Sequence, residues 1–368
     1  MKPWPGPPPG DDDEREARAD RARADREREA ALRAAGIDLD PDHPAERSHL
    51  LATASGEEPH HHRAGMPADH PHPHHRSSPG DRPYIGIVGA GAVGTGLGVA
   101  LTRAGWPVTA VASRDPARRE RFQRLTGTGR AFAEPAPLLD EVELIILAVP
   151  DDVVVPLAGE LRLYSGQALV HTSGLLGAEA LGAAMAAGTQ AGSFHPLVAF
   201  ADVERAVEAL HGATVAIDGD EELAGLLARM AEAVGAVPVR LPPGSKPAYH
   251  AAAVLSAGGM IALLDAVAEL GRVIGLDEAG SLAVFGRLTE QTMANARALG
   301  IDAALTGPMT RGDVGTVLAH LAALDAHAPD AAALYRVLAE REIAIAERRG
   351  AIDPAAAAVL RASLAKAP

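Results

Sequence analysis

The sequence has 368 residues, no cysteine and a formal net charge of −14, from 34 basic and 48 acidic side chains. This length is enough for two domains of ordinary size. The lack of cysteine excludes a disulfide framework, a thiolate metal site and a cysteine nucleophile, and it fits a reducing cytoplasm. The acidic excess argues against nucleic acid as a partner, because binding a duplex requires a concentrated basic face.

Residues 1–82 are predicted to be a disordered, charged tail. This segment holds most of the 15 histidines and many of the 28 prolines, and it has almost no large apolar side chain to bury. It lacks the basic start and apolar core of a signal peptide. We predict no metal site, since no spacing within its histidine run fixes a coordination geometry.

From Pro83 onward, short β-rich runs alternate with helical patterns, which predicts an α/β domain over residues 83–241 with a parallel sheet covered on both faces. A helix is predicted at Ala92–Ala104. The predicted strands are Tyr84–Val88, Pro107–Ala112, Leu144–Val149, Ala168–His171, Gly192–Phe194, Ala213–Ile217 and Val237–Arg240.

After the turn Leu241-Pro242-Pro243-Gly244 the strand patterns stop, which predicts an all-α second domain over residues 245–366. Its predicted helices are Ala248–Gly271, Leu276–Leu299, Val314–Ala326 and Asp330–Arg348. The first of them has small residues on more than one face, which predicts a homodimer formed by this domain. The longest uncharged stretches are rich in alanine and contain Gly, Pro or His, so we predict packed segments and no membrane span.

A glycine-rich motif follows the first predicted strand directly and opens the first helix. Gly89, Gly91 and Gly94 form G-x-G-x-x-G, with Ala92 and Val93 at the helix start. This context predicts a dinucleotide site, because the first glycine permits a tight turn, the second admits the pyrophosphate, and the third allows close helix packing. The N–H groups of the helix start would face the anion.

The end of the second strand predicts NADP(H) as the cofactor. An NAD-binding protein usually carries an acid at this place to hold the ribose 2′-hydroxyl, whereas this chain has Ser113 and Arg114. A hydroxyl and a guanidinium suit a 2′-phosphate. The alternative is that Arg114 is a solvated loop residue and that Asp115 serves the ribose.

Polar or turn-forming residues follow three more strands, and parallel strands place their carboxyl ends at one edge of the sheet. We predict that Val149, Pro150, Thr172 and Ser173 line the cofactor at this edge. His195 is predicted to face the same crevice. For His171, which precedes Thr172, ligand contact and a structural role bonded to Ser173 are both open.

The start of the second domain supplies candidate catalytic groups. Lys246 and His250 are four residues apart at the opening of a helix, with Lys246 at the predicted cap. A carbonyl that accepts a hydride develops alkoxide charge, which a cation or proton donor stabilises. We therefore predict Lys246, His250 and His195 as catalytic residues; the alternative for Lys246 is a solvated lysine at a helix start.

The segment Thr306-Gly307-Pro308-Met309-Thr310-Arg311-Gly312-Asp313 is a second unusual turn. Arg311 is the candidate for a substrate carboxylate, through a two-pronged salt bridge. Asp313 is predicted mainly as a helix N-cap and also as part of the substrate site. His320, one turn after Thr316, is the third substrate candidate.

These motifs, in this order, resemble the bacterial proteins that combine a Rossmann-like domain with a DUF2520 domain. The carriers of the resemblance are the glycine motif, His171-Thr172-Ser173-Gly174, Phe194-His195-Pro196, Lys246-x-x-Tyr249-His250 and the Thr306–Asp313 segment with His320. Those proteins are similar to ketopantoate, 3-hydroxyisobutyrate and pyrroline-5-carboxylate oxidoreductases. The resemblance implies an N-terminal Rossmann domain, a helical dimerisation domain and an NADP-dependent reductase. The family pattern has an asparagine where this chain has Ala257-Gly258-Gly259.

Three functional interpretations remain open from the sequence. The first is a reductase of a small 2-oxo acid, with ketopantoate as the leading substrate, and Lys246 favours it. The second is an imine reductase of the pyrroline-5-carboxylate type, in which Thr310 and Ser256 would matter more. The third is a non-catalytic NADPH-binding sensor or scaffold, which the missing asparagine and the long tail favour.

Overall fold

A computed structural model describes residues 82–365 of the protein. Apart from Arg82, the predicted tail lies outside the described residues. The chain divides into two compact units, with the division between His250 and Ala251.

The first unit contains eight strands and seven α-helices among the described residues. The strands are β1 (Ile85–Val88), β2 (Val108–Ala112), β3 (Arg130–Phe132), β4 (Leu144–Leu147), β5 (Ala168–His171), β6 (Gln190–Pro196), β7 (Thr214–Asp218) and β8 (Val237–Arg240). The helices are α1 (Ala92–Arg103), α2 (Pro116–Thr126), α3 (Ala136–Leu139), α4 (Asp151–Glu160), α5 (Gly182–Ala186), α6 (Val203–Ala209) and α7 (Glu221–Ala233), with a 3₁₀ turn at Ala178–Leu181.

The eight strands form one sheet in the order β3-β2-β1-β4-β5-β6-β7-β8. Every neighbouring pair is parallel except β6 and β7, which pair antiparallel with His195 opposite Ala216. The predicted α/β fold with a parallel sheet is confirmed, with this one exception. Because α6 packs against α1 instead of crossing the sheet, the chain enters β7 from the edge at which β6 ends.

Two hydrophobic clusters cover the two faces of the sheet. In β4, Leu144 and Ile146 belong to one cluster while Ile145 and Leu147 belong to the other, and all four are fully buried. Successive side chains of a strand point to opposite faces, so a strand buried on both faces needs a continuous apolar run. This packing fixes the strand register, and with it the positions of the carboxyl ends of β1, β4, β5 and β6.

The second unit is all-helical in its described residues, which confirms the predicted helical C-terminal part. Helix α8 (Lys246–Ser256) begins before the division and continues into this unit. The other helices are α9 (Gly258–Val273), α10 (Glu278–Leu299), α11 (Ile301–Ala304), α12 (Val314–His327), α13 (Pro329–Arg348) and α14 (Pro354–Leu364), with a 3₁₀ turn at Pro308–Arg311. The largest core of this unit includes Met309, Val317, Leu321, Ile343 and Leu360.

Helix α10 contributes little to the core of its unit. Among its residues only Ser281 is buried. Large apolar side chains lie exposed on α9 and α10, including Ile261 at 67% and Leu288 at 61%. Among the described residues, the stretch Lys246–Val273 is also long and apolar enough to cross a membrane by length and composition, with a mean hydropathy of 1.9.

The structure corrects three sequence predictions. The short strand β3 was missed. The single helix predicted over Ala248–Gly271 is two helices, α8 and α9, interrupted at Ala257 just before the glycine pair. The last helix, α14, was also missed, although Asp353 caps it by accepting a hydrogen bond from the Ala356 N–H.

Candidate functional site

The turn from β1 to α1 requires glycine at the first and third motif positions. Gly89 has a φ of 106°, and a Cβ there would collide with the carbonyl of Ala148. A Cβ on Gly94 would collide with the Gly89 carbonyl. Gly91, in contrast, has no heavy atom within 4 Å of its Cβ position. The turn is therefore tight on the protein side and open at Gly91.

The N-terminus of α1 is free to bind an anion. Gly91 is its N-cap, no side chain caps the helix, and the first turn contains no acidic residue. Ala92 and Val93 occupy this first turn, where backbone N–H groups have no intrahelical acceptor. Together with the open space at Gly91, these groups fit the pyrophosphate of a dinucleotide.

The residues after β2 leave one guanidinium unpaired. The carbonyls of Ser113 and Arg114 both accept hydrogen bonds from Arg119. The Arg114 side chain is exposed and makes no hydrogen bond within the described residues. Asp115 caps α2 by accepting from the N–H groups of Ala117 and Arg118, at 2.9 and 3.3 Å. Its carboxylate is thus engaged, which weighs against the alternative that Asp115 holds the ribose.

The turns after β4 and β5 lie at the same sheet edge as the glycine turn. Val149 and Pro150 lead from β4 into α4, with Pro150 as its N-cap. The Thr172 hydroxyl donates to the carbonyl of Leu147, 3.3 Å away. The Ser173 hydroxyl accepts from two backbone N–H groups, those of Leu175 and Leu176. These bonds fix the shape of the turn that follows β5.

His171 has the structural role that was one of the two open alternatives. Its side chain is fully buried, and its Nε2 lies 3.0 Å from the carbonyl of Gly177. Its Nδ1 accepts a hydrogen bond from the Ser173 N–H at 3.2 Å. Burial lowers the pKa of His171. Both ring nitrogens are therefore occupied within the protein.

Lys246 is buried at the first turn of α8 instead of lying in solvent. It is the only lysine among the described residues, and it is 7% exposed. Its ammonium donates to the Ser193 hydroxyl at 2.7 Å and to the Ser173 carbonyl at 3.2 Å. Burial lowers the pKa of Lys246 to about 8, although three nearby carboxylates oppose this effect: Asp218, Glu179 and Asp151. The solvated-lysine alternative is thus wrong, and Lys246 is the first residue of the helix instead of its cap.

His195 and His250 meet beside Gly174. Their ring centroids are 5.9 Å apart. A Cβ on Gly174 would lie 2.7 Å from His195 Nε2 and would collide with His250 Nδ1. The Nδ1 of His250 is buried and has no hydrogen-bond partner among the described residues. Tyr249 completes the group, with its hydroxyl 3.1 Å from His195 Nδ1.

A cavity of about 300 Å³ opens on another side of Lys246. Leu175, Pro243 and Pro247 form part of its wall, and the carboxylates of Glu179 and Asp218 line it as well. Asp218 is held in place, because its side chain accepts the N–H groups of Ala178 and Gly219, each at 2.9 Å. The cavity therefore combines a buried ammonium with two carboxylates.

The three candidate substrate residues belong to the second unit. Arg311 is exposed at the end of the 3₁₀ turn and donates no hydrogen bond within the described residues. Asp313 caps α12 by accepting from both the N–H and the hydroxyl of Thr316, at 3.0 and 2.7 Å. These bonds lower the pKa of Asp313. His320 Nδ1 lies 3.0 Å from the Tyr335 hydroxyl.

The structure thus brings the three catalytic candidates together in the first unit and groups the three substrate candidates in the second. Sequence reasoning assigned no role to Tyr249 or Ser193. Two signals pointed to Tyr249: its place in the first turn of α8, between Lys246 and His250, and its membership of the Lys246-x-x-Tyr249-His250 motif.

The comparisons with known proteins agree with this architecture. Residues 73–196 match a Rossmann-like domain, and residues 213–342 match a domain of unknown function, DUF2520. No curated protein matches the chain.

Three solved structures have a similar fold. The crystal structure of protein TM1727 from Thermotoga maritima is 25% identical, covers 72% of this chain and 99% of that one, and has a TM-score of 0.56. A putative NADP oxidoreductase from Bacteroides fragilis is 22% identical, covering 71% and 98%, with a TM-score of 0.60. The 1-pyrroline-5-carboxylate reductase from Streptococcus pyogenes is 16% identical, covering 73% and 99%, with a TM-score of 0.51.

The two domain matches follow one another along the chain in the order that the sequence motifs predicted. The chain therefore belongs to the proteins that combine a Rossmann-like domain with a DUF2520 domain.

Proposed function

We propose that the chain is an NADPH-dependent oxidoreductase that reduces a small carboxylate-bearing substrate, with a 2-oxo acid such as ketopantoate as the first candidate. The observation that carries this proposal is the buried ammonium of Lys246 beside the histidine pair. All three groups lie at the carboxyl ends of β5 and β6, the sheet edge that also carries the glycine turn. Open α/β sheets bind their ligands at this edge.

The cofactor contacts follow from the groups that are free in the protein. The N–H groups at the start of α1 would hold the pyrophosphate, with Gly91 giving it access to the backbone. Arg114, with Ser113 beside it, would pair with the 2′-phosphate. Val149, Pro150, Thr172 and Ser173 would line the cofactor further along the edge. When bound, NADPH supplies a hydride to the substrate carbon.

The catalytic residues have separate roles in this proposal. The Lys246 ammonium supplies positive charge near the oxygen on which negative charge develops, in a site shielded from water. His195 donates a hydrogen bond to that oxygen from Nε2. His250, whose Nδ1 has no partner among the described residues, flanks the same spot beside Gly174.

The helical unit would contribute to substrate binding and to assembly. The free guanidinium of Arg311 is the proposed carboxylate ligand, with Asp313 and His320 holding the surrounding turn and helix. The exposed apolar side chains of α9 and α10 support a homodimer, because such a surface is costly to leave in water. The lack of cysteine supports a cytoplasmic location.

An imine reductase is the second candidate, and the cavity beside Lys246 supports it. Two carboxylates, those of Glu179 and Asp218, line this cavity. A protonated imine is a cation, so acidic lining would favour it over a neutral carbonyl. The Streptococcus pyogenes structure, which is named a 1-pyrroline-5-carboxylate reductase, shares the fold.

The test is the oxidation of NADPH by the purified full chain, followed by absorbance with ketopantoate, other 2-oxo acids and pyrroline-5-carboxylate. We expect turnover with one or more of these substrates, and loss of at least 99% of it in Lys246→Met. Turnover with pyrroline-5-carboxylate and none of the oxo acids would favour the imine reductase. NADPH binding without turnover of any of them would contradict both enzymatic proposals.

A further inference from the structure

The hydroxyl of Tyr249 is the one polar group of the histidine cluster to which the proposed function gives no role. It lies 3.1 Å from His195 Nδ1, and the two rings meet edge to face with centroids 5.6 Å apart. Tyr249 belongs to the first turn of α8, whereas His195 belongs to β6. The same two elements are also joined by the hydrogen bond between Lys246 and Ser193.

The direction of the hydrogen bond follows from what each group can donate. The Tyr249 hydroxyl has one proton, and its only acceptor among the described residues is His195. A neutral imidazole carries a proton on one nitrogen only. If Nδ1 accepts the tyrosine proton, the imidazole proton is on Nε2.

Burial keeps both groups in the required protonation state near neutral pH. Burial lowers the pKa of His195 to about 4, and the nearby Lys246, His250 and His171 lower it too, while Asp151 opposes them. The ring is therefore neutral. Burial raises the pKa of Tyr249, so its hydroxyl keeps its proton.

The Nε2 edge of His195 lies against Gly174, beside the Nδ1 edge of His250. Nε2 lies 2.7 Å from the Cβ position of Gly174, and His250 Nδ1 is close to the same point. That nitrogen of His250 is buried without a partner among the described residues. Buried polar atoms normally have a partner, so this cluster lacks one hydrogen-bonding group, while the space at Gly174 itself is too narrow for a further atom.

We propose that Tyr249 is a positioning residue, which holds His195 in the tautomer with the proton on Nε2 so that the half-buried ring offers this proton to the substrate. A neutral imidazole in this state polarises a carbonyl by donating a hydrogen bond. The other tautomer would present a lone pair to the oxygen and would repel it. The substrate side of this inference rests on the proposed reductase function, whereas the tautomer is a property of the protein itself.

The tautomer is measured by NMR on the full chain labelled with ¹⁵N-histidine, with the His195 signals assigned by comparison with His195→Gln. In the unaltered protein we expect the long-range ¹H–¹⁵N pattern of a ring protonated at Nε2. In Tyr249→Phe the ring should become a mixture of the two tautomers. Tyr164→Phe is the matched control: it removes a tyrosine hydroxyl bonded to Asp140 and should leave the His195 signals unchanged.

The kinetic readout uses the best substrate found for the unaltered enzyme. Tyr249→Phe should lower kcat by about tenfold to a hundredfold and change KM and the NADPH Kd by less than about twofold. Gly174→Ala is a second variant, whose methyl group would push the two imidazoles apart and should also lower kcat. Its glycine has no positive φ, so backbone strain does not explain the loss.

Three results would overturn the inference: a wild-type His195 protonated at Nδ1, an unchanged tautomer in Tyr249→Phe, or an unchanged kcat despite a changed tautomer. If no substrate is turned over while Tyr249→Phe still changes the tautomer, the proposed reductase function fails and the role of Tyr249 in setting the ring is supported.

Discussion

Replacing Lys246 with methionine removes a buried charge while keeping a side chain of similar length. Lys246 is 7% exposed, and its ammonium donates hydrogen bonds to the Ser193 hydroxyl and the Ser173 carbonyl. Burial lowers its pKa from 10.5 to about 8. At about 1.4 kcal/mol for each pH unit, this difference corresponds to about 3 kcal/mol of folding free energy that depends on pH.

The direction of the effect follows from proton binding. Below pH 8 the lysine is charged in both the folded and the unfolded chain, so its contribution is constant. Between about pH 8 and 10.5 only the unfolded chain keeps the proton, so the stability of the folded state rises with pH. The unaltered protein should therefore gain about 3 kcal/mol of unfolding free energy relative to Lys246→Met as the pH rises over this range. The unpaired Ser173 carbonyl in the variant adds an offset that does not depend on pH.

The sequence makes the pKa itself easy to measure. Lysine occurs elsewhere only at Lys2 and Lys366, so a ¹³C-lysine spectrum is simple, and Lys246→Met assigns the signal. We expect this signal to titrate near pH 8 and kcat/KM to fall as pH rises through the same value. A signal that titrates near 10.5, together with a stability difference that stays flat above pH 8, would refute the buried ammonium.

Three further predictions concern the cofactor, the assembly and the N-terminal segment. NADPH should bind at least about tenfold tighter than NADH, and Arg114→Ala should remove this preference; equal Kd values in the unaltered protein, measured by fluorescence titration, would contradict it. Light scattering at micromolar concentration should show a homodimer, and Leu288→Asp, at an exposed apolar position of α10, should shift it toward monomer; a monomeric unaltered protein would be evidence against the dimer. Deleting residues 1–81 should leave Tm nearly unchanged. A large drop in Tm on this deletion would mean that the tail docks on the rest of the chain. Arg82→Ala in the full chain should lower stability by about 1 kcal/mol, because Arg82 donates to the carbonyls of Ala104 and Gly105 and stacks over Trp106.

Much of the first unit could be predicted because its strands are apolar and bounded by turn residues. Ala168–His171 and Val237–Arg240 have the predicted bounds. Strand β3 was missed because it has only three residues and begins with an arginine, so it is too short to show a recognisable strand pattern of apolar residues. Its pairing with β2 stabilises it, and this information is not local.

The break between α8 and α9 shows the limit of helical periodicity. The apolar pattern continues through residues 248–271 without a proline, so the sequence predicts one helix. In the structure the helix is interrupted at Ala257, immediately before two glycines, and glycine has a low propensity for the interior of a helix.

The candidate site was predicted in its residue types and only partly in its geometry. The cofactor turn could be read from local spacing, because Gly89 and Gly94 act within one strand, turn and helix. The burial of Lys246 could not, since its two acceptors lie 73 and 53 residues earlier in the chain. The pairing of Tyr249 with His195 spans 54 residues and depends equally on the sheet.

The central claim is that a hydride from NADPH reaches a substrate at the edge of the sheet that carries Lys246 and His195. The most direct measurement uses NADPH with deuterium at the transferred position of the nicotinamide, and the product is analysed by mass spectrometry. The account predicts one deuterium at the reduced carbon with the unaltered protein and a rate lower by about a hundredfold or more in Lys246→Met. A deuterium-free product, or the same rate of transfer in Lys246→Met, would contradict it.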